Sequence, residues 1–180
     1  MFCMQNTRHD LMTFKFYESV MSLDTNLQLE RRKAEFDQFF QDLMPKLVDF
    51  VGRLGINFPH HVLKQAAQYL PYVDHACSNM TYSNPDERAW LLARIGYFIG
   101  EYFVQQYGGC WYVNDIEGSK YFARYVVGKF TALNNPLTMV DPFSVAQQYV
   151  DTPVPRRLED LVAEVTAELT RYVTLQQSQS

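Results

Sequence analysis

One carboxylate stands out by its surroundings. Glu101 follows Gly100 in the stretch Ile95 to Phe103, where nearly every other side chain is aliphatic or aromatic. A carboxylate taken out of water needs hydrogen-bond donors or a cation beside it. Three donors are candidates: Arg94, two turns earlier on a similar helical face; Arg124, in a later strand-like segment; and the indole N–H of Trp111. One reading makes Glu101 an anchor between a helix and a hairpin. The other makes Arg94, Glu101, Trp111 and Arg124 the polar lining of a ligand or catalytic cleft. The anchor is the simpler reading, because structural networks perturb acids as well as active sites do.

The remaining chemistry-bearing residues assemble less readily. His60 and His61 are adjacent and would point about a hundred degrees apart on a helix. His75 and Cys77 lie two residues apart. Neither pair has the spacing by which zinc ligands converge, so a metal centre would require tertiary assembly of these groups, and none is predicted. Cys110 follows a Gly-Gly turn at the expected C-terminal end of a helix, where the dipole disfavours a thiolate; it reads as a small buried hydrophobe. The G-x-S-x-G elbow and both glycine-rich phosphate loops are missing. Asp115, Glu117 and Asp141 occupy turn or cap positions rather than a glycosidase pair. No catalytic residue and no cofactor are predicted.

Two surfaces offer binding chemistry. Lys120, Arg124 and Lys129 alternate with Tyr121, Phe122, Tyr125 and Phe130, a mixture that could stack single-stranded bases. Strict strand alternation separates most of these charges from the aromatics. The whole chain also carries a net charge of −4, from 16 basic and 20 acidic residues, so nucleic acid is not expected as the partner. Protein binding fits the composition better. Tyrosines number 12 and phenylalanines 13, and tyrosine supplies rigid contact area with a polar tip. Tyr72, Tyr82 and Tyr112 fall at element ends or in loops, with Asp74, Asp115 and Glu117 nearby as an acidic rim for a basic partner.

These groups must be held by a fold, and 180 residues with 47% hydrophobic content suffice for one domain. No apolar run approaches the length of a membrane span, so no membrane partner is expected. Three scattered cysteines suit a reducing compartment, and Met1 to Tyr17 lacks the layout of a secretory signal, so cytoplasmic residence is expected. Residues 1–26 are expected to form a flexible leader, 27–175 one α-rich domain, and 176–180 a polar tail.

Leu29, Phe36, Phe39, Phe40, Leu43, Leu47, Phe50 and Leu54 recur at helical spacing and predict a helix over Leu27–Leu54, kinked or broken at Pro45. A second helix is predicted from Pro59 to Leu70, stopped by Pro71. Tyr72 to Met80 is either a further short helix or an ordered loop. Asn84-Pro85-Asp86-Glu87 is a cap, a first-turn proline and two dipole-matched acids, opening a central helix that ends at Gly108-Gly109. Cys110–Val113 and Tyr121–Phe130 predict antiparallel strands, with a third near Leu137–Val140. Asp141-Pro142 opens a helix to about Val150, and Arg157–Leu175 is the last helix. The fold class expected is α+β, mainly α: a helical domain around a central helix, with a small antiparallel hairpin or three-stranded sheet.

Within this layout, Gly96 and Gly100-Glu101 on the central helix, then Gly108-Gly109 and Trp111, then a hairpin and Asp141-Pro142-Phe143, form a pattern over the middle third of the chain. It resembles a loosely defined set of uncharacterised bacterial domains with a helix-GE, GG-x-W, hairpin, DPF-helix order. The resemblance implies no catalytic residues. Small proteins of this build occur beside toxin genes, which implies a partner or inhibitor role.

The function expected is therefore non-enzymatic: binding of another protein, a toxin or effector, in the manner of an immunity protein or inhibitor. Occlusion would use the Tyr72–Asn84 loop and the Asn114–Ser119 turn. The alternative is a small-molecule or enzymatic cleft built on Glu101, Arg94 and Arg124. Self-association into a homo-oligomer stays open.

Overall fold

The structure is a computed structural model that describes residues 7–135 and 137–177, with side chains placed over 24–135 and 137–171. It is mainly helical with one small antiparallel sheet, as the periodicities predict. Helix α1 covers Thr7–Arg53, α2 Val62–Cys77 after a 3-10 turn at Pro59–His61, and α3 Pro85–Tyr107. Strands β1 (Cys110–Val113), β2 (Tyr125–Gly128) and β3 (Met139–Val140) follow, then α4 (Pro142–Asp151) and α5 (Leu158–Gln177).

Helix α3 is the axis. Its start matches the local signal: Asn84 Oδ1 accepts from the Glu87 N–H at 2.9 Å, while Glu87 Oε2 accepts from the Ser83 N–H at 2.7 Å. Asn84 thus satisfies an amide that the first turn leaves free, and Glu87 reaches back to hold the chain that enters the helix. Gly108, with φ +66°, ends the helix in the left-handed region that glycine adopts without strain. From Ile95 to Glu101 every residue is buried, because α1, α2, α4 and the sheet surround this segment.

The sheet has the order β1-β2-β3, with Trp111 opposite Val127 and Val127 opposite Val140. Helix α1 packs on β1, and β3 is the opposite edge. Cys110, expected to be buried, is exposed at the start of β1, and the expected second strand is shorter than its residue types suggest. Tyr121 to Arg124 form turns instead, and Ala123 takes φ +58°. The strand alternation expected of Lys120, Phe122 and Arg124 therefore does not apply.

Two prolines lie inside continuous helices, and at Pro71 this corrects the expected stop. Helix α1 begins at Thr7, well before Leu27, and runs through Pro45 without a break; the expected leader shares it from Thr7 onward, and residues 1–6 lie outside the described residues. Helix α2 likewise continues through Pro71, so Tyr72 to Cys77 are helical rather than part of a loop. In both cases the proline and the residue four positions earlier, Gln41 or Ala67, are exposed, so the carbonyl freed by the missing donor faces water. The opposite faces bury Leu43, Leu47 and Phe50 in α1, and Tyr69, Val73 and Cys77 in α2. That burial outweighs the lost hydrogen bond. The polar tail from residue 178 lies outside the described residues. No helix among the described residues is long and apolar enough to cross a membrane.

Candidate functional site

Glu101 is 3% exposed, and the Trp111 indole Nε1–H donates to its Oε1 at 2.9 Å. Neither candidate arginine reaches it. Gln105, one turn further along α3, lies near enough to favour its charged form. The same amide receives the Ala66 N–H at 2.7 Å and donates to the Val62 carbonyl at 2.9 Å. Those backbone groups need it because Gln65, at φ −140° and ψ 37°, interrupts the α2 ladder. Gln105 therefore ties α3 to α2, and Glu101, one turn earlier, ties α3 to β1. Burial pushes the Glu101 carboxyl above the usual carboxylate range, while the bond from Trp111 and the nearby Gln105 amide oppose that rise.

The recurrent glycines fit the same packing. An ideal Cβ on Gly100 would lie 1.8 Å from Trp111 Cζ2, and one on Gly96 would lie 2.6 Å from Phe143 Cδ1. The indole and the Phe143 ring lie directly on the α3 backbone. The helix-GE, GG-x-W and DPF residues are thus one packing unit.

Arg124 and Arg94 are engaged elsewhere. Arg124 Nη1 donates to Asp141 Oδ2 and to Ser144 Oγ, each at 2.8 Å. Asp141 also caps α4 through Oδ1, which accepts from the Phe143 and Ser144 N–H groups at 3.0 Å. The Arg94 guanidinium lies over the rings of Trp90 and Tyr97, at 5.4 and 5.9 Å, and its buried Nε has no partner among the described residues. The expected grouping of Arg94, Glu101 and Arg124 is therefore divided among three environments, and of the candidates only Trp111 meets Glu101.

The expected partner-binding residues are also dispersed. Tyr72 is exposed on α2. Asp74, expected in an acidic rim, is 7% exposed; its Oδ1 accepts from the Leu158 N–H and caps α5, and its Oδ2 faces Arg157 at 3.4 Å. That correction follows from helical continuation past Pro71, which turns Asp74 inward. Tyr82 packs against the core beside Arg88. Tyr112 is half-buried, with Lys129 Nζ 4.6 Å from its ring. Asp115 pairs with Lys33 of α1 at 3.0 Å, and Glu117 is exposed. Asp74 belongs to the α5 junction and Asp115 to the α1 face, so the two expected segments serve different parts of the fold.

Near Asp74 lies a buried group that sequence reasoning missed. Arg156, 4% exposed, donates from its backbone N–H to the Ser78 carbonyl and from Nη1 to the Met80 carbonyl, closing the end of α2. Its guanidinium lies 5.6 Å from the Tyr149 ring centre. Burial, with the Asp74 charge adding to it, pushes the Cys77 thiol up to about 12, so it is a neutral core group. Among the described residues no three metal-ligating side chains converge; His61 stacks on Phe58 at 5.6 Å.

Two clefts flank the segment Ser119–Lys120, which lines both. The first, about 540 Å³, lies between β3 and the α4–α5 pair. Its wall is apolar at Leu137, Met139, Val145, Leu161, Val165 and Leu169, with Glu164 and Glu168 on the α5 side. The second, about 740 Å³, lies between α1, the Ser119–Tyr125 connection and the start of α4. Part of its α1 wall, at Thr25, falls where a flexible leader was expected. The α5 stripe was legible, but not that a groove would leave part of it open.

No protein-family model, no curated protein and no solved structure matches the chain.

Proposed function

We propose that the protein acts by stoichiometric, non-covalent binding of another protein, and that the groove beside β3 receives an extended segment of that partner. The observation that carries this reading is the open sheet edge alongside an apolar groove, where Leu137 is 68% exposed. A strand laid along a free edge gains backbone hydrogen bonds, and alternate side chains enter the adjoining groove. Glu164 and Glu168, both exposed on the α5 wall, favour a segment flanked by Lys or Arg. The finer form of the proposal is an inhibitor or immunity protein, with the groove occluding a segment that a toxin or effector needs for its own action.

The test is selection of extended peptides from a displayed library. Apolar-alternating peptides with basic flanks should be enriched, and Leu137→Glu should abolish their binding without moving the unfolding midpoint. Tyr72→Ala, on α2, should leave binding intact. An empty selection, or binding lost with Tyr72→Ala and kept with Leu137→Glu, would overturn the reading.

A further inference from the structure

The second cleft has a different character, and its reading stands independently of the groove. The chain as a whole is acidic, yet this cleft gathers Arg32, Lys120 and Arg124. Arg32 Nη1 donates to the Ala123 carbonyl at 2.9 Å, and its guanidinium lies 5.5 Å from the Tyr125 ring centre. The next residue after that carbonyl is Arg124, whose Nη1 is held by Asp141 and Ser144. The left-handed turn at Ala123 thus brings two guanidiniums to one wall. Each is anchored through a single nitrogen of a group that has five N–H donors. The Arg124 side chain remains 48% exposed.

Asp141 also lines the cleft, and its charge is offset by the donors around it. Its Oδ1 is occupied by two backbone amides and its Oδ2 by Arg124 and the Ser144 hydroxyl. The other walls are ring surfaces. Phe122, Tyr125 and Phe143 are each only half-buried, and Phe39 stacks on Tyr125 with ring centres 4.2 Å apart. Anchored guanidiniums bind phosphate in a fork, and flat aromatic faces accept a planar ring. A volume of about 740 Å³ falls within the usual range for small-ligand sites.

We propose that this cleft binds a phosphorylated small molecule with a planar ring, of the nucleoside monophosphate class. Arg32 and Arg124 take the phosphate, and the Phe122 ring takes the planar group, while Tyr125, covered by Phe39 and Arg32, backs the site. The tests are calorimetric titrations of the full chain with AMP, UMP, adenosine, inorganic phosphate and a ten-nucleotide RNA. AMP or UMP should bind at least about tenfold more tightly than adenosine or phosphate alone, because both halves of the site contribute. Arg32→Gln should weaken nucleotide binding by at least about tenfold, with Arg32→Lys recovering part of it. Arg124→Gln should do the same, and its unfolding midpoint separates lost binding from a loosened α4. The proposal is overturned if nucleotides bind no better than adenosine, if Arg32→Gln binds them as the parent does, or if only the RNA binds.

Discussion

Substituting Gly100 tests the packing unit at its tightest point. In Gly100→Ala the new Cβ would sit 1.8 Å from Trp111 Cζ2, where ordinary contact begins near 3.4 Å. The indole must retreat by the difference, about 1.6 Å, because the α3 backbone is hemmed in on all sides. A shift of that size is enough to part Nε1 from Glu101 Oε1, now 2.9 Å away. Overpacking costs about 1–3 kcal/mol. A buried carboxylate deprived of its donor adds about 1.5–3 kcal/mol. Alanine returns about 1 kcal/mol of helix propensity. The expected net loss is about 1.5–5 kcal/mol, which lowers Tm by roughly 3–20 °C for a chain of this size. Urea unfolding followed by far-UV circular dichroism measures the loss. Emission in a Trp90→Phe background reports Trp111 moving toward water. Gly52→Ala in α1 is the control, since its Cβ would meet only Pro59 at 3.7 Å and beyond; it should be neutral or slightly stabilising. If Gly100→Ala proves as stable as Gly52→Ala, the contact between the indole and the α3 backbone is not what holds β1 to the helix.

Two further predictions concern the buried carboxylates. The folded protein holds the Glu101 carboxyl above its unfolded value, so the folded state binds the proton more tightly. Stability from this group is full below the unfolded value of about 4.5 and is lost as pH rises through the raised folded value. Glu101→Gln keeps an acceptor for Trp111 but cannot ionise, so its stability relative to the parent should increase from pH 4 to pH 7 in urea midpoints; a constant difference would refute the assigned cause. Asp74→Ala should cost about 1–2 kcal/mol through loss of the α5 cap, with Asp74→Asn recovering most of it. Arg157→Ala, on the exposed side of the same pair, should change stability by less than about 0.5 kcal/mol; thermal unfolding of the three variants checks the order.

Local chemistry made much of the fold legible. Asn84-Pro85 and Asp141-Pro142 open helices because a cap and a first-turn proline act on amides within a few residues. Gly108 ends α3 for an equally local reason. Pro71 misled because the outcome depends on what the opposite helix face buries, which no local rule contains. Asp74 was misplaced for the same reason: once α2 continues, its side chain turns toward the α5 start 84 residues away. Glu101 was correctly singled out as a buried acid, but its partner among several donors could not be chosen. That choice depends on the close approach of Trp111 over Gly100.

The order of amino acids by itself determined where α3 begins and ends, where β1 lies and where α4 starts, and that an acid on α3 would leave water. Caps, turn glycines and hydrophobic periods act through neighbours along the backbone, so they can be read from spacing. Tertiary structure alone decided which donor meets Glu101, that Arg32 and Arg124 share a wall, and that an apolar groove opens beside β3. Each depends on contacts between elements distant in sequence, where packing and charge are settled by geometry in space.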